Sequence, residues 1–168
     1  PLIAIWGHTR KEYGAMKLFL YLLAGSALIF PAIIYLPVAS GLNTFDLFAL
    51  MQAKAFSPFQ QKFAFLFLYL GFGILAGVWP FHTWSPVGHV AAPTSVSMLH
   101  AGVLMKLGAY GILRVAIFLC PEGWQYWSQA MAILATVGII YGVCVGLTQT
   151  DLKYVIAYSS VSHMGIVG

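Results

Sequence analysis

Charge is what this sequence has least of. Lys, Arg, Asp and Glu make up 7% of its 168 residues, against 61% hydrophobic. A soluble domain carries roughly a quarter charged residues. So few charges cannot cover a water-soluble globule of this size, and lipid or apolar protein must surround most of the chain. Acids are scarcer still: Glu12, Asp46, Glu122 and Asp151, none inside a long apolar run. A titratable group buried in such a run therefore has no acidic partner in this chain. Cysteine is confined to Cys120 and Cys144, without CxxC spacing. This excludes a thiolate metal framework and leaves both as packing residues. The net charge is +4, but the basic residues are scattered, which excludes a nucleic-acid-binding stripe. Nothing at the start of the sequence resembles a signal peptide. Pro1 is not a methionine and "SSVSHMGIVG" stops within an apolar run, so the sequence is expected to be an internal piece of a longer membrane protein.

What is there is apolar and long. About 20 apolar residues cross a bilayer. The candidates are Ala15–Tyr35, Phe63–Trp79, Ser95–Cys120 and Ser128–Leu147, with Pro1–Trp6 and Tyr154–Gly168 as partial spans. The fold class is all-α: a polytopic membrane helix bundle, with residues 1–168 forming a single membrane domain. "TFDLFALMQAKAF" is too short and too charged to cross. Phe45, Phe48, Phe56, Leu47 and Met51 predict an amphipathic helix at the interface, begun by a near capping box of Asn43 with Asp46. "PFHTWSPVGHVAAPT" carries three prolines and reads as a loop, with Trp79 and Trp84 in an interfacial belt. The connections at 7–17, 80–94 and 149–153 fall on one side with Arg10, Lys11, Lys17 and Lys153, against Lys54 and Lys62 on the other. That asymmetry predicts the first set inside.

One charge is out of place. Lys106 lies eleven residues after Ser95 and fourteen before Cys120, too deep for its amine to reach the interface easily. A lysine at the bilayer centre costs about 2.5–3.5 kcal/mol on insertion scales. An amine titrates near 10.4 in water, and bringing that to about 7 takes roughly 4.6 kcal/mol. The two costs are of one order, so an amine at this depth can bind and release a proton. His100, near the start of the same run, continues a polar path toward it. Lys153 stands at a membrane edge, as an anchor or as part of the path. His163 lies ten residues beyond it, about 15 Å along a helix axis, among Ser159, Ser160 and Ser162, and suits a proton relay. His82 and His89 have no carboxylate or cysteine near them, which argues against a metal or haem site. "GFGILAG" sits inside a span with no strand before it and is not a nucleotide loop. Its glycines, and Gly108 and Gly111, permit close helix packing. No resident cofactor, metal site or catalytic triad is expected.

"WPFHTWSPVGHVAAPTSVSMLHAGVLMKLGAYGILR", "TDLKYVIAYSSVSHMG" and "WGHTRKEYGAMKLFLYLLAGS" together resemble the antiporter-like membrane subunits of respiratory complex I, the NADH:quinone oxidoreductases, and most of all their chain M branch. The resemblance covers essentially the whole chain. It implies a parent of about fourteen membrane helices in two inverted repeats. That parent holds no redox centre and moves protons, driven by quinone reduction elsewhere in the complex. Lys106 then matches the family's central lysine, Phe63–Trp79 its broken helix, and His163 a histidine of the central polar axis. The family's key glutamate would precede Pro1, and a second acid would follow far downstream. Leu75, Ala76 and Gly77 stand where many relatives read lysine, any residue, proline, so the lysine that pairs with the upstream glutamate is replaced here by Leu75. The implied partners are other membrane subunits of the complex and the lipid bilayer, with quinone reached only through the whole complex. The implied location is a bacterial plasma membrane. Two alternatives stand beside proton pumping. One is a structural subunit that transmits force without pumping, which Leu75 favours. The other is a subunit of a multisubunit sodium/proton antiporter or a membrane-bound hydrogenase.

Overall fold

The computed structural model describes residues 1–8, 10–42, 44–53 and 56–168, with only the backbone of Ala53. Among them there is helix and no strand. Four stretches are long and apolar enough to cross a membrane: Lys11–Ser40, Pro58–Ala91, Thr94–Ile117 and Pro121–Leu147. Around them lie the short α1 (Leu2–Trp6), the seven-residue α3 (Leu47–Ala53) and α9 (Leu152–Val167). The first long helix is α2 (Lys11–Ser40), which carries Pro31 and Pro37 in its interior. Membrane helices tolerate such prolines because neighbouring groups satisfy the carbonyls they free.

The second stretch is two half-helices. The first half, α4 (Pro58–Ala76), begins with a full capping box of Ser57 and Gln60. It ends at Gly77, whose φ of 73° is left-handed and suits a residue without a Cβ. After the break, a 3₁₀ turn over Phe81–Thr83 leads into α5 (Trp84–Ala91). The loop expected over residues 80–94 is thus mostly buried helix. Its prolines sit where a helix tolerates them. Pro80 precedes the 3₁₀ turn, Pro93 precedes α6 (Thr94–Leu99), and Pro86 lies in the first turn of α5, where its missing N–H has no partner to lose. Trp84 is not in an interfacial belt: it is 0% exposed, and its indole N–H donates to the Ile74 carbonyl at 2.9 Å.

The third stretch is continuous but unevenly wound. π-Helical turns at His100–Leu104 and Ile112–Ile117 flank α7 (Met105–Gly111). The fourth is α8 (Pro121–Leu147). Two membrane edges are tied separately. At one, His8 N–H donates to Ala91 O at 3.0 Å and Lys153 Nζ to Ala92 O at 3.3 Å. At the other, Glu122 N–H donates to Gln61 Oε1 at 3.2 Å, and the Arg114 guanidinium lies 5.5 Å from the Phe48 ring. The connections at 7–17 and 149–153 thus share one edge with the Ala91–Ala92 end of the segment expected as a loop, while the rest of that segment lies within the second stretch. The interfacial helix is present as α3, with Phe45 and Phe48 exposed and Leu50 and Phe56 buried. The Asp46 carboxylate caps it, accepting from Phe48 N–H at 3.0 Å. The expected partner Asn43, and Lys54 of the charge comparison, lie outside the described residues.

Candidate functional site: a buried histidine cluster at a helix break

The break in the second span organises the site. Helix α7 docks on it through residues without bulk. A Cβ on Gly108 would collide with the backbone of Ala76 and Phe72, and one on Gly111 with the Phe72 ring. Met105, fully buried, reaches across to the break, where its sulfur takes the Ser85 hydroxyl at 3.6 Å. Lys106 is therefore held one residue away from the seam between the broken helix and the third span.

Beyond the break the buried side chains turn polar. His82, Ser85, His89 and His100 are all buried within segments long enough to cross a membrane. His89 and His100 meet edge to face, with ring centroids 5.8 Å apart, and His100 stands at right angles to the Trp84 ring at 6.5 Å. His89 Nδ1 is 2.8 Å from Ser97 Oγ. His82 lies against Tyr141, with ring centroids 4.9 Å apart. Among the described residues, His89 Nε2, His100 Nδ1 and both ring nitrogens of His82 have no hydrogen-bond partner. Buried polar atoms are nearly always partnered, so these nitrogens leave hydrogen-bonding capacity open on the far side of the break. A neutral imidazole carries one donor and one acceptor nitrogen, and a serine hydroxyl serves as both. His89, Ser97 and His100 therefore contain what a proton relay needs.

A cavity of about 240 Å³ reaches this cluster from the edge at which Lys153 lies. His89, Thr94, Ser97, Lys153 and Ser160 line it with apolar neighbours. Lys153 is half-buried there, its ammonium on the Ala92 carbonyl. Asp151 caps α9 by accepting the Lys153 N–H at 2.9 Å, which fixes where Lys153 starts.

Of the residues singled out from sequence, His100 and Lys153 belong to this cluster and its cavity. Lys106 and His163 do not: both are exposed on outward helix faces of the segment. His163 Nδ1 is 2.7 Å from the Ser159 carbonyl. A carbonyl only accepts, so Nδ1 carries the proton and Nε2 remains free to take one. Leu75 is half-buried in the last turn of α4 and fills the space beside Gly25 of α2. His82 and His89 were not expected to take part, because the three prolines made their segment read as a loop, and Ser97 lay unremarked at the start of the expected third span. A signal was available: no Lys, Arg, Asp or Glu occurs between Lys62 and Lys106, and a true membrane-edge loop usually carries some. No group of three or more metal-ligating side chains occurs among the described residues.

Comparison with known proteins fits this architecture. Residues 1–167 match the family described as NADH:quinone oxidoreductase/Mrp antiporter, TM. NADH-quinone oxidoreductase subunit M of Rickettsia conorii is 41% identical over 167 residues, covering 99% of this chain and 34% of that protein. NAD(P)H-quinone oxidoreductase chain 4-2 of Synechocystis is 39% identical over 166 residues, covering 99% of this chain and 30% of its own length. The chain thus spans about a third of the length of the curated relatives it matches. In the structure of respiratory complex I from Thermus thermophilus with bound NADH, one chain superposes with a TM-score of 0.90 at 28% identity, over 98% of this chain and 35% of that one. A chain of the archaeal membrane-bound sulfane sulfur reductase shares the fold at a TM-score of 0.86 and 23% identity, over 98% and 34% of the two chains. The family match runs almost from end to end and the fold is reproduced along the same residues: the chain belongs to the NADH:quinone oxidoreductase/Mrp antiporter transmembrane family.

Proposed function

We propose that this chain is the proton-carrying part of an antiporter-like subunit of an NADH:quinone oxidoreductase in a bacterial plasma membrane. It translocates protons and carries no redox step itself. The observation that carries this reading is the buried cluster of His89, Ser97 and His100, reached from the Lys153 edge by a cavity. In this reading residues 1–168 act as one membrane domain, with the connections at 7–17 and 149–153 facing the cytoplasm. Protons pass from the Lys153 edge to His89 and His100. Lys106 and His163, on outward faces, exchange protons with residues of the surrounding subunit. Other membrane subunits and lipid surround the chain, and quinone acts on it only through the whole complex.

A second reading, a subunit that transmits force without pumping, is favoured by Leu75. The resemblance puts an amine at that position, and here an aliphatic side chain packs on Gly25. His100→Gln in the full-length subunit separates the two readings. Proton pumping by the assembled complex in vesicles is followed alongside quinone reduction. The relay predicts a lower proton-to-electron ratio in a complex that still assembles. An unchanged ratio would favour the force-transmitting reading.

A further inference from the structure

Several hydroxyls in the helices of this chain bond to their own backbone. Those of Ser128, Thr136 and Ser160 donate to carbonyls three or four residues earlier, at 3.1, 2.8 and 3.2 Å, as such side chains commonly do inside a helix. Ser97 is different. Among the described residues its hydroxyl meets no carbonyl, and its partner is His89 Nδ1 at 2.8 Å. The chain turns at Pro93, between α5 and α6, and this brings Ser97 of α6 back against His89 of α5. Both side chains line the cavity of about 240 Å³. The Ser97 side chain thus adjoins the cavity and the ring at once.

A hydroxyl suits a ring that changes charge. His163 shows the contrast: its Nδ1 lies 2.7 Å from the Ser159 carbonyl, with the Ser159 hydroxyl farther off at 3.4 Å, and a carbonyl holds a proton on that nitrogen. A hydroxyl both donates and accepts. When His89 is neutral with its proton on Nε2, the Ser97 hydroxyl donates to Nδ1. When His89 is protonated, Nδ1–H donates to the same oxygen. One contact serves both charge states, so His89 takes up a proton without losing a hydrogen bond. In a buried site this matters, because a polar atom left without a partner costs about 1–3 kcal/mol. We propose that Ser97 is the positioning residue through which His89 is loaded from the cavity, an inference that rests on the proton-carrying reading above. In the step, the Ser97 O–H bond breaks as its proton moves to Nδ1, and the oxygen takes a hydrated proton from the cavity in its place. The hydroxyl is restored and His89 carries one positive charge. Its Nε2, buried and otherwise unpartnered, then holds the proton that passes on toward His100, whose ring centroid is 5.8 Å away.

The test uses the full-length subunit in its assembled complex, in vesicles, with proton pumping and quinone reduction followed together. Ser97→Val and Ser97→Thr differ by little in shape but only threonine keeps a hydroxyl, and the cavity beside residue 97 gives room for the branch that each adds. Ser97→Ala removes the hydroxyl without adding bulk. His89→Gln sets the reference for losing the ring. Valine and alanine should lower the proton-to-electron ratio to the level of His89→Gln, and threonine, the conservative variant, should rescue it. A role in packing alone would make threonine and valine equal, and that result would overturn the inference, as would a normal ratio with alanine. If His89→Gln lowers the ratio while alanine does not, the relay stands and the role of Ser97 falls. If His89→Gln leaves the ratio unchanged, the relay reading falls and this inference with it.

Discussion

Lys106 and Leu75 show what a single residue can say here. Lys106 was visible in the sequence because an amine inside an apolar run has a cost that needs a reason. Its direction was not visible. Helical phase is counted at 3.6 residues per turn, and the π turn at His100–Leu104 adds to that count just before Lys106. Leu75 was legible only as a departure from a family pattern. In the structure it is half-buried and packs by its end against Gly25. A lysine has a flexible stem that can follow the same surface and carry its head outward. Leu75→Lys in the full-length protein is therefore expected to assemble and to change the proton-to-electron ratio. Loss of assembly, measured as the yield of intact complex, would show that the space beside Gly25 admits only an apolar side chain.

At the scale of the element, the broken helix is the feature that sequence reading missed in part. Pro80, Pro86 and Pro93 look like loop punctuation when counted together. Each in fact stands at or before the start of a helical segment, where a missing N–H costs nothing. The long spans were legible because hydropathy decides them, and three of them begin several residues earlier than expected, at Lys11, Pro58 and Pro121, where polar residues and caps such as Ser57 start the helix. The docking of α7 on the break depends on glycine, and it gives a stability prediction. Gly108→Ala puts a methyl group into the backbone of Ala76 and Phe72 and should destabilise the subunit by about 1–3 kcal/mol, the range for overpacking. Gly102→Ala, in the same span, meets nothing within 4 Å and should be neutral or slightly stabilising, since alanine favours helix. Thermal unfolding of the purified full-length subunit in detergent checks both. Equal effects of the two changes would mean that close approach at the break does not hold α7.

For the molecule as a whole, the exposed residues carry as much meaning as the buried ones. His89 and His100 are enclosed by this chain's own helices, whereas Lys106 and His163 face outward from it. The sequence already pointed to a missing acidic partner for Lys106, since all four acids lie outside the apolar runs. Lys106 is exposed on an outward face, which fits the proposed exchange with residues beyond this chain, in a family whose curated relatives are about three times as long. The most direct test is therefore made in the full-length subunit within its complex. A proton carrier needs an amine that can become neutral, and arginine keeps its charge at all working pH. Proton pumping in vesicles, with quinone reduction followed in parallel, is measured for Lys106→Arg and Lys106→Ala. The account predicts that both variants lose pumping to a similar degree. Normal pumping with alanine would contradict it, and normal pumping with arginine alone would make Lys106 a structural cation.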